Sequence, residues 1–174
     1  MSNDMERVIR EFRDTVMCHH DERVRNLMAD TEIDMNFRLT VTAGRAFHPS
    51  RRMELSVPVL RSPVNTEQDI WDTLAHEFAH LCEFAFGGHS LATLRKRGDA
   101  AAHNDTWRAW ALEFGDSTGD RFHDLFIPKD CGKFAERSAP TRHWIMRGGS
   151  AAERKSRKMR VNAWREANGN TPLV

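Results

Sequence analysis

The chain has 174 residues, 40% of them hydrophobic and 29% charged, with a formal net charge of +1. That profile fits one folded domain with a real core plus a terminal extension, and it excludes collagen, coiled-coil and wholly disordered chains. No apolar run nears the roughly 20 residues that span a bilayer.

M-S-N-D-M-E-R at the start carries early acids and no apolar signal core, so an intracellular, cytoplasmic protein without membrane contact is expected. Cys18, Cys82 and Cys131 are odd in number and far apart, which fits a reducing compartment and neither a disulfide framework nor a C-x-x-C knuckle.

Residues 4–29 open with a helical period: Met5, Val8, Ile9, Phe12 and Val16 recur at steps of three and four. A polar break at 19–22 leaves one interrupted helix or two. The period then drops to two. Ile33, Met35, Phe37, Leu39 and Val41 alternate with polar residues and predict a half-buried strand. Gly44 permits a turn or bulge in T-A-G-R, H-P-S-R at 48–51 is turn-like, and Met53, Leu55 and Val57 predict a further strand.

Thr66 followed by Asp69 is a carboxylate variant of the capping box and opens a helix that should stop at Gly87-Gly88. After a polar connector of about sixteen residues, a short helix is predicted from Asn104 or Asp105 to Gly115, with Trp107 and Trp110 on a core-facing side. Residues 115–149 read as irregular. Ser150 with Glu153 opens a last, basic helix to about Ala167. The plan is α+β: an N-terminal helix, a small antiparallel sheet, a long helix, a short helix and a basic C-terminal helix.

Charge divides the chain. Of its 26 basic and 25 acidic residues, 11 and 4 fall from Lys129 onward, leaving 15 against 21 before it. Two parts are therefore expected, 1–128 as the globular domain and 129–174 as a basic extension. Arg154, Lys155, Arg157, Lys158 and Arg160 could neutralise phosphates of a nucleic acid, with Trp164 available to stack on a base. The same charges could equally face solvent while Trp164 docks the helix on the body.

The long helix contains H-E-F-A-H, with His76, Glu77 and His80. Imidazoles at i and i+4 stand one above the other and can take two corners of a tetrahedral zinc site. Glu77, about 100° round the helix, can reach the open corner without being a ligand and act as general base toward water there. A catalytic zinc needs a third protein ligand. A metzincin continuation needs Gly at 83 and His at 86, where Glu83 and Phe86 stand. His89 sits just past the helix stop, and Glu113 at the end of the short helix. His103, at the mouth of that helix, is the predicted third ligand, because a helix-loop-helix return carries it over the first helix. Glu83 shares part of the ligand face; it is either an exposed glutamate or a partner orienting a ligand imidazole.

T-A-G-R-A at 42–46 with R-M-E-L-S at 52–56, L-A-H-E-F-A-H at 74–80 and H-N-D-T-W at 103–107 together resemble the SprT-like (Spartan-type) zinc metallopeptidases. Asn104 stands where that pattern usually has Gly, and the four-cysteine ribbon of many bacterial relatives has no counterpart. The resemblance implies a zincin-like fold, one zinc held by His76, His80 and His103, and Glu77 as general base. It also implies intracellular proteolysis, in some relatives of proteins on DNA. The chain has no tyrosine, a common donor to a developing oxyanion; His123, Arg142 and His143 are the candidate replacements. The expected function is thus a zinc endopeptidase acting on intracellular proteins. The alternative is a nucleic-acid-binding protein whose zinc is structural or regulatory.

Overall fold

The computed structural model describes residues 4–40, 42–62, 65–87 and 103–117, together with Lys155, Met159, Asn162 and Ala163. His89, His123, Cys131, Arg142, His143, the boundary at 128/129, Arg154, Arg157, Lys158, Arg160 and Trp164 lie outside the described residues. Lys155, Met159, Asn162 and Ala163 are all helical, inside the span expected for the basic helix. Met159 is 63% exposed, so this apolar residue of the basic segment is not buried.

The N-terminal period resolves into two helices, α1 (Met5–Met17) and α2 (Glu22–Ala29). Asp4 and Asp21 cap them by accepting hydrogen bonds from the Arg7 and Arg23 backbone N–H groups. Met5, Val8, Phe12 and Val16 form the buried stripe of α1.

A three-stranded sheet follows: β1 (Glu32–Asn36), β2 (Gly44–Phe47) and β3 (Arg52–Ser56), in the order β1-β3-β2. Three expectations are corrected here. The first strand does not run to Val41. It ends at Asn36, whose Oδ1 accepts the N–H groups of Arg38 and Leu39 at 2.8 and 3.0 Å, turning the chain. The A-G-R segment is not a turn but the start of β2, and the bend falls at 48–51, where Arg51 takes φ of 48°. The sheet is mixed rather than antiparallel. β2 and β3 form an antiparallel hairpin, whereas β1 pairs with β3 in parallel, with Ile33 opposite Met53 and Met35 opposite Leu55. Alternation fixes which face of a strand is buried but not the direction of its neighbour. β3 is the central strand, and its Met53 and Leu55 are fully buried.

A short helix, α3 (Val57–Leu60), starts where the second strand was expected to end. Ser56 caps it and Pro58 occupies its first turn, where a missing N–H costs nothing. The long helix, α4 (Glu67–Phe86), begins with the reciprocal Thr66–Asp69 capping box and ends at Gly87. Ile70, Leu74, Phe78 and Leu81 enter the main core, while Ala79 faces a smaller cluster with Trp107 and Ala111. Those two belong to α5 (Asp105–Glu113), the short helix expected there, which lies against α4. Trp71 Nε1 donates to the Phe114 carbonyl at 2.9 Å and fixes its far end, followed by Gly115 at φ 86°. The fold of the described residues is α+β. None of their helices is long and apolar enough to cross a membrane.

Candidate metal centre

His76 and His80 lie one turn apart on α4, with ring centroids 5.0 Å apart. The α4–α5 return brings His103 over them, its ring 5.0 Å from that of His76 and 4.7 Å from that of His80. One ring nitrogen from each residue falls within a group whose members all lie within 4.8 Å of one another. His76 Nε2 and His103 Nε2 are 3.1 Å apart. Two corners of a tetrahedron with metal–nitrogen distances near 2.05 Å stand about 3.3 Å apart. The donor set and this separation fit a cation with borderline-soft preferences.

Trp107 forms the wall behind the rings. Its centroid is 4.7, 5.5 and 4.6 Å from those of His76, His80 and His103, and its Nε1 donates to the His76 carbonyl at 3.2 Å. It is a core residue, as its spacing predicted, and it also supports all three imidazoles.

Glu77 points toward β2 rather than into the ring cluster's wall. Its carboxylate accepts the Ala46 backbone N–H and lies within the field of Arg45. Burial outweighs both and pushes its pKa up to about 8. Gly44 makes the approach of β2 possible. A Cβ on it would stand 2.8 Å from Glu77 Cγ and 2.9 Å from Thr73 Cγ2.

Glu83 is not an exposed glutamate. It is 1% exposed and accepts a hydrogen bond from Asn104 Nδ2. Asn104 Oδ1 in turn accepts the Trp107 N–H at 2.9 Å, capping α5. The backbone at Asn104 is extended (φ −77°, ψ −179°), so no glycine-like conformation is required there. The residue that departs from the family pattern thus ties the His103 end of α5 to α4.

Glu113, the carboxylate considered as third ligand, is engaged elsewhere. His19 Nε2 lies 2.8 Å from its Oε1, and with His20 they form a second cluster of possible donors. His19 Nδ1 accepts the Asp21 N–H at 3.1 Å, which places the ring proton on Nε2, facing the carboxylate. In that arrangement the lone pair of His19 is taken up by the Asp21 N–H and its proton by Glu113, so neither ring nitrogen faces outward as a metal donor.

One neighbour escaped the sequence reading. His48, in the β2–β3 bend, stacks on Phe84 at 4.9 Å and meets the His80 ring at 6.3 Å. Burial lowers its pKa, and its buried Nδ1 has no hydrogen-bond partner among the described residues. H-P-S-R is legible as a turn, but its packing against α4 is not.

Three histidines that can hold a metal ion, with a buried glutamate beside them on an α+β scaffold, define a candidate metalloprotein centre. The SprT-like family model matches residues 11–125, a span that includes every one of these groups, and the chain belongs to that family. No curated protein and no solved structure matches it.

Proposed function

We propose that the chain is a zinc-dependent endopeptidase with a zincin-like active site, in which His76, His80 and His103 hold the metal and Glu77 is the general base. The convergence of the three imidazoles, with 3.1 Å between two of their Nε2 atoms, carries this reading. When bound by these three imidazoles, zinc would supply Lewis-acid polarisation of a carbonyl and would acidify water. The Glu77 carboxylate would act as the base that takes up a proton from the attacking water and passes it to the departing amine. The Ala46 N–H and the wall of β2 hold the carboxylate in place for both transfers. Trp107 keeps water away from the rear of the imidazoles and fixes the ring orientations. A structural zinc is usually closed by four ligands, often cysteines; an all-histidine set of three beside a buried glutamate favours catalysis.

The family resemblance extends the proposal to intracellular substrates, including proteins held on nucleic acid. Phosphate contact is assigned to the basic segment with Arg154, Lys155, Arg157, Lys158 and Arg160, of which Lys155 is exposed and helical. The test is metal content together with cleavage of an unfolded protein. About one zinc per chain is expected, and Glu77→Gln should keep the metal and lose cleavage, self-cleavage included. Cleavage by that variant at the parent's rate would remove Glu77 from the mechanism. Loss of gel-shift binding on deleting 150–174, with no proteolysis by the full chain, would favour a nucleic-acid-binding protein instead.

A further inference from the structure

A cavity of about 380 Å³ opens beside α4 one turn beyond His80, within the size range of ligand pockets. Its apolar lining comes from Leu27 on α2 and from Leu81, Phe84 and Phe86 on α4. His48 belongs to both places: it lines the cavity, stacks on Phe84 and meets the ring of His80. His48 therefore stands between the cavity and the candidate metal centre.

Two arginines stand at the rim, and neither brings uncompensated charge. Arg23 donates to Asp21 Oδ2 at 2.6 Å and covers the Phe86 ring at 5.3 Å. Its guanidinium holds the Asp21 carboxyl down at about 2, so the pair stays ionised and matched. Arg51 pairs with Asp30. The lining is mixed, with Asn26 and the His48 ring beside the apolar side chains, and under its charge-balanced rim it offers a charged side chain no free counter-ion to offset its desolvation. A large apolar side chain meets no such cost.

We propose that this cavity is a specificity pocket that receives an aromatic or leucine-like side chain of the substrate polypeptide. The proposal rests on the endopeptidase reading above. Phe84 follows His80 by four residues, about 6 Å along the helix axis. An extended chain advances about 3.4 Å per residue. The residue seated in the pocket therefore lies one or two positions from the scissile bond.

The test uses the full-length, zinc-loaded Glu77→Gln protein and blocked pentapeptides Gly-Gly-Xaa-Gly-Gly in which Xaa is Phe, Leu, Ala or Asp. The Phe and Leu peptides should bind at least tenfold more tightly than the Ala and Asp peptides and should shift the NMR signals of the His48 ring. Ala85, an exposed α4 residue at the cavity wall, is changed to Phe to fill the space and, separately, to Glu to charge it. Each change, with zinc content checked, should shrink the preference to less than threefold. Equal binding of all four peptides, or a Phe preference that both Ala85 variants leave intact, overturns the proposal. Mapping of cut sites in an unfolded protein by the parent enzyme separates this idea from the one beneath it. Cleavage with no enrichment of Phe or Leu within two residues of the cut removes the pocket and leaves the peptidase. Peptide preference without any cleavage keeps the pocket and removes the peptidase.

Discussion

Gly44 on β2 and Glu77 on α4 are packed so closely that a single Cβ on the glycine would stand 2.8 Å from Glu77 Cγ and 2.9 Å from its Oε1. The same Cβ would meet Thr73 Cγ2 at 2.9 Å, so the helix side offers two obstacles. Gly44→Ala should therefore displace the carboxylate rather than merely crowd it. Cleavage is expected to fall at least tenfold while zinc content is kept, at a stability cost of about 1–3 kcal/mol for overpacking. Turnover per bound zinc, beside a urea midpoint, checks both parts.

In the proposed site His103 is the one histidine that does not come from α4, standing two residues before α5, so it would couple the metal to the α4–α5 packing. His103→Ala should weaken zinc binding at least tenfold and shrink the thermal stabilisation that zinc confers. In the parent, a chelator should lower the melting temperature; in the variant it should change it little. Calorimetry with and without chelator reads this directly.

Asn104 joins two tasks, capping α5 and donating to buried Glu83. Asn104→Gly puts the residue usual in the family at this position. The cap itself should lose only a few tenths of a kcal/mol. Withdrawing a donor from a buried carboxylate should cost about 1–3 kcal/mol and loosen zinc affinity through His103. Adding Glu83→Gln, which removes the buried charge, should recover part of the stability. Denaturant midpoints of the two single variants and the double variant decide the matter.

The Glu77 carboxyl is raised from 4.5 to about 8 by burial in the metal-free protein. Between those values the folded chain holds a proton that the unfolded chain releases, so metal-free stability falls as pH rises through this window. Below about 4.5 both states are protonated and the contribution is fully present. In chelator, Glu77→Gln should therefore melt with the parent near pH 4.5 and progressively above it toward pH 8. Added zinc should narrow the gap, because a nearby cation favours the carboxylate. Melting curves across pH, with and without metal, test the sign.

The helices were largely legible before any coordinates. α4 carries its own start signal at Thr66 and Asp69, its apolar face and its glycine stop, so the one-turn spacing of His76 and His80 follows from local information. The arrival of His103 needed only a return between two helices. The sheet was less legible, for a specific reason. Met53 and Leu55 alternate in the same way whether β1 runs with them or against them, so the parallel pairing left no trace. Gly44 looked like a turn residue because glycine permits turns; its actual reason is the carboxylate pressed against it from another element. Glu83 illustrates the same limit. Its place on the ligand face was readable, but its burial depends on Asn104, twenty-one residues away. His48 was passed over although H-P-S-R was legible as a turn, because a turn's place in the sequence does not say which helix its side chains will meet.

The strand order has one more consequence, for synthesis. β1 and β2 each pair only with β3, and β3 is the last of the three to leave the ribosome. Until Ser56 has emerged, both earlier strands are without the neighbour that joins them, and a nascent chain halted before Arg52 contains neither of these two ladders. Glu77 emerges twenty-one residues after Ser56, so the carboxylate meets a surface that can already be in place to receive it.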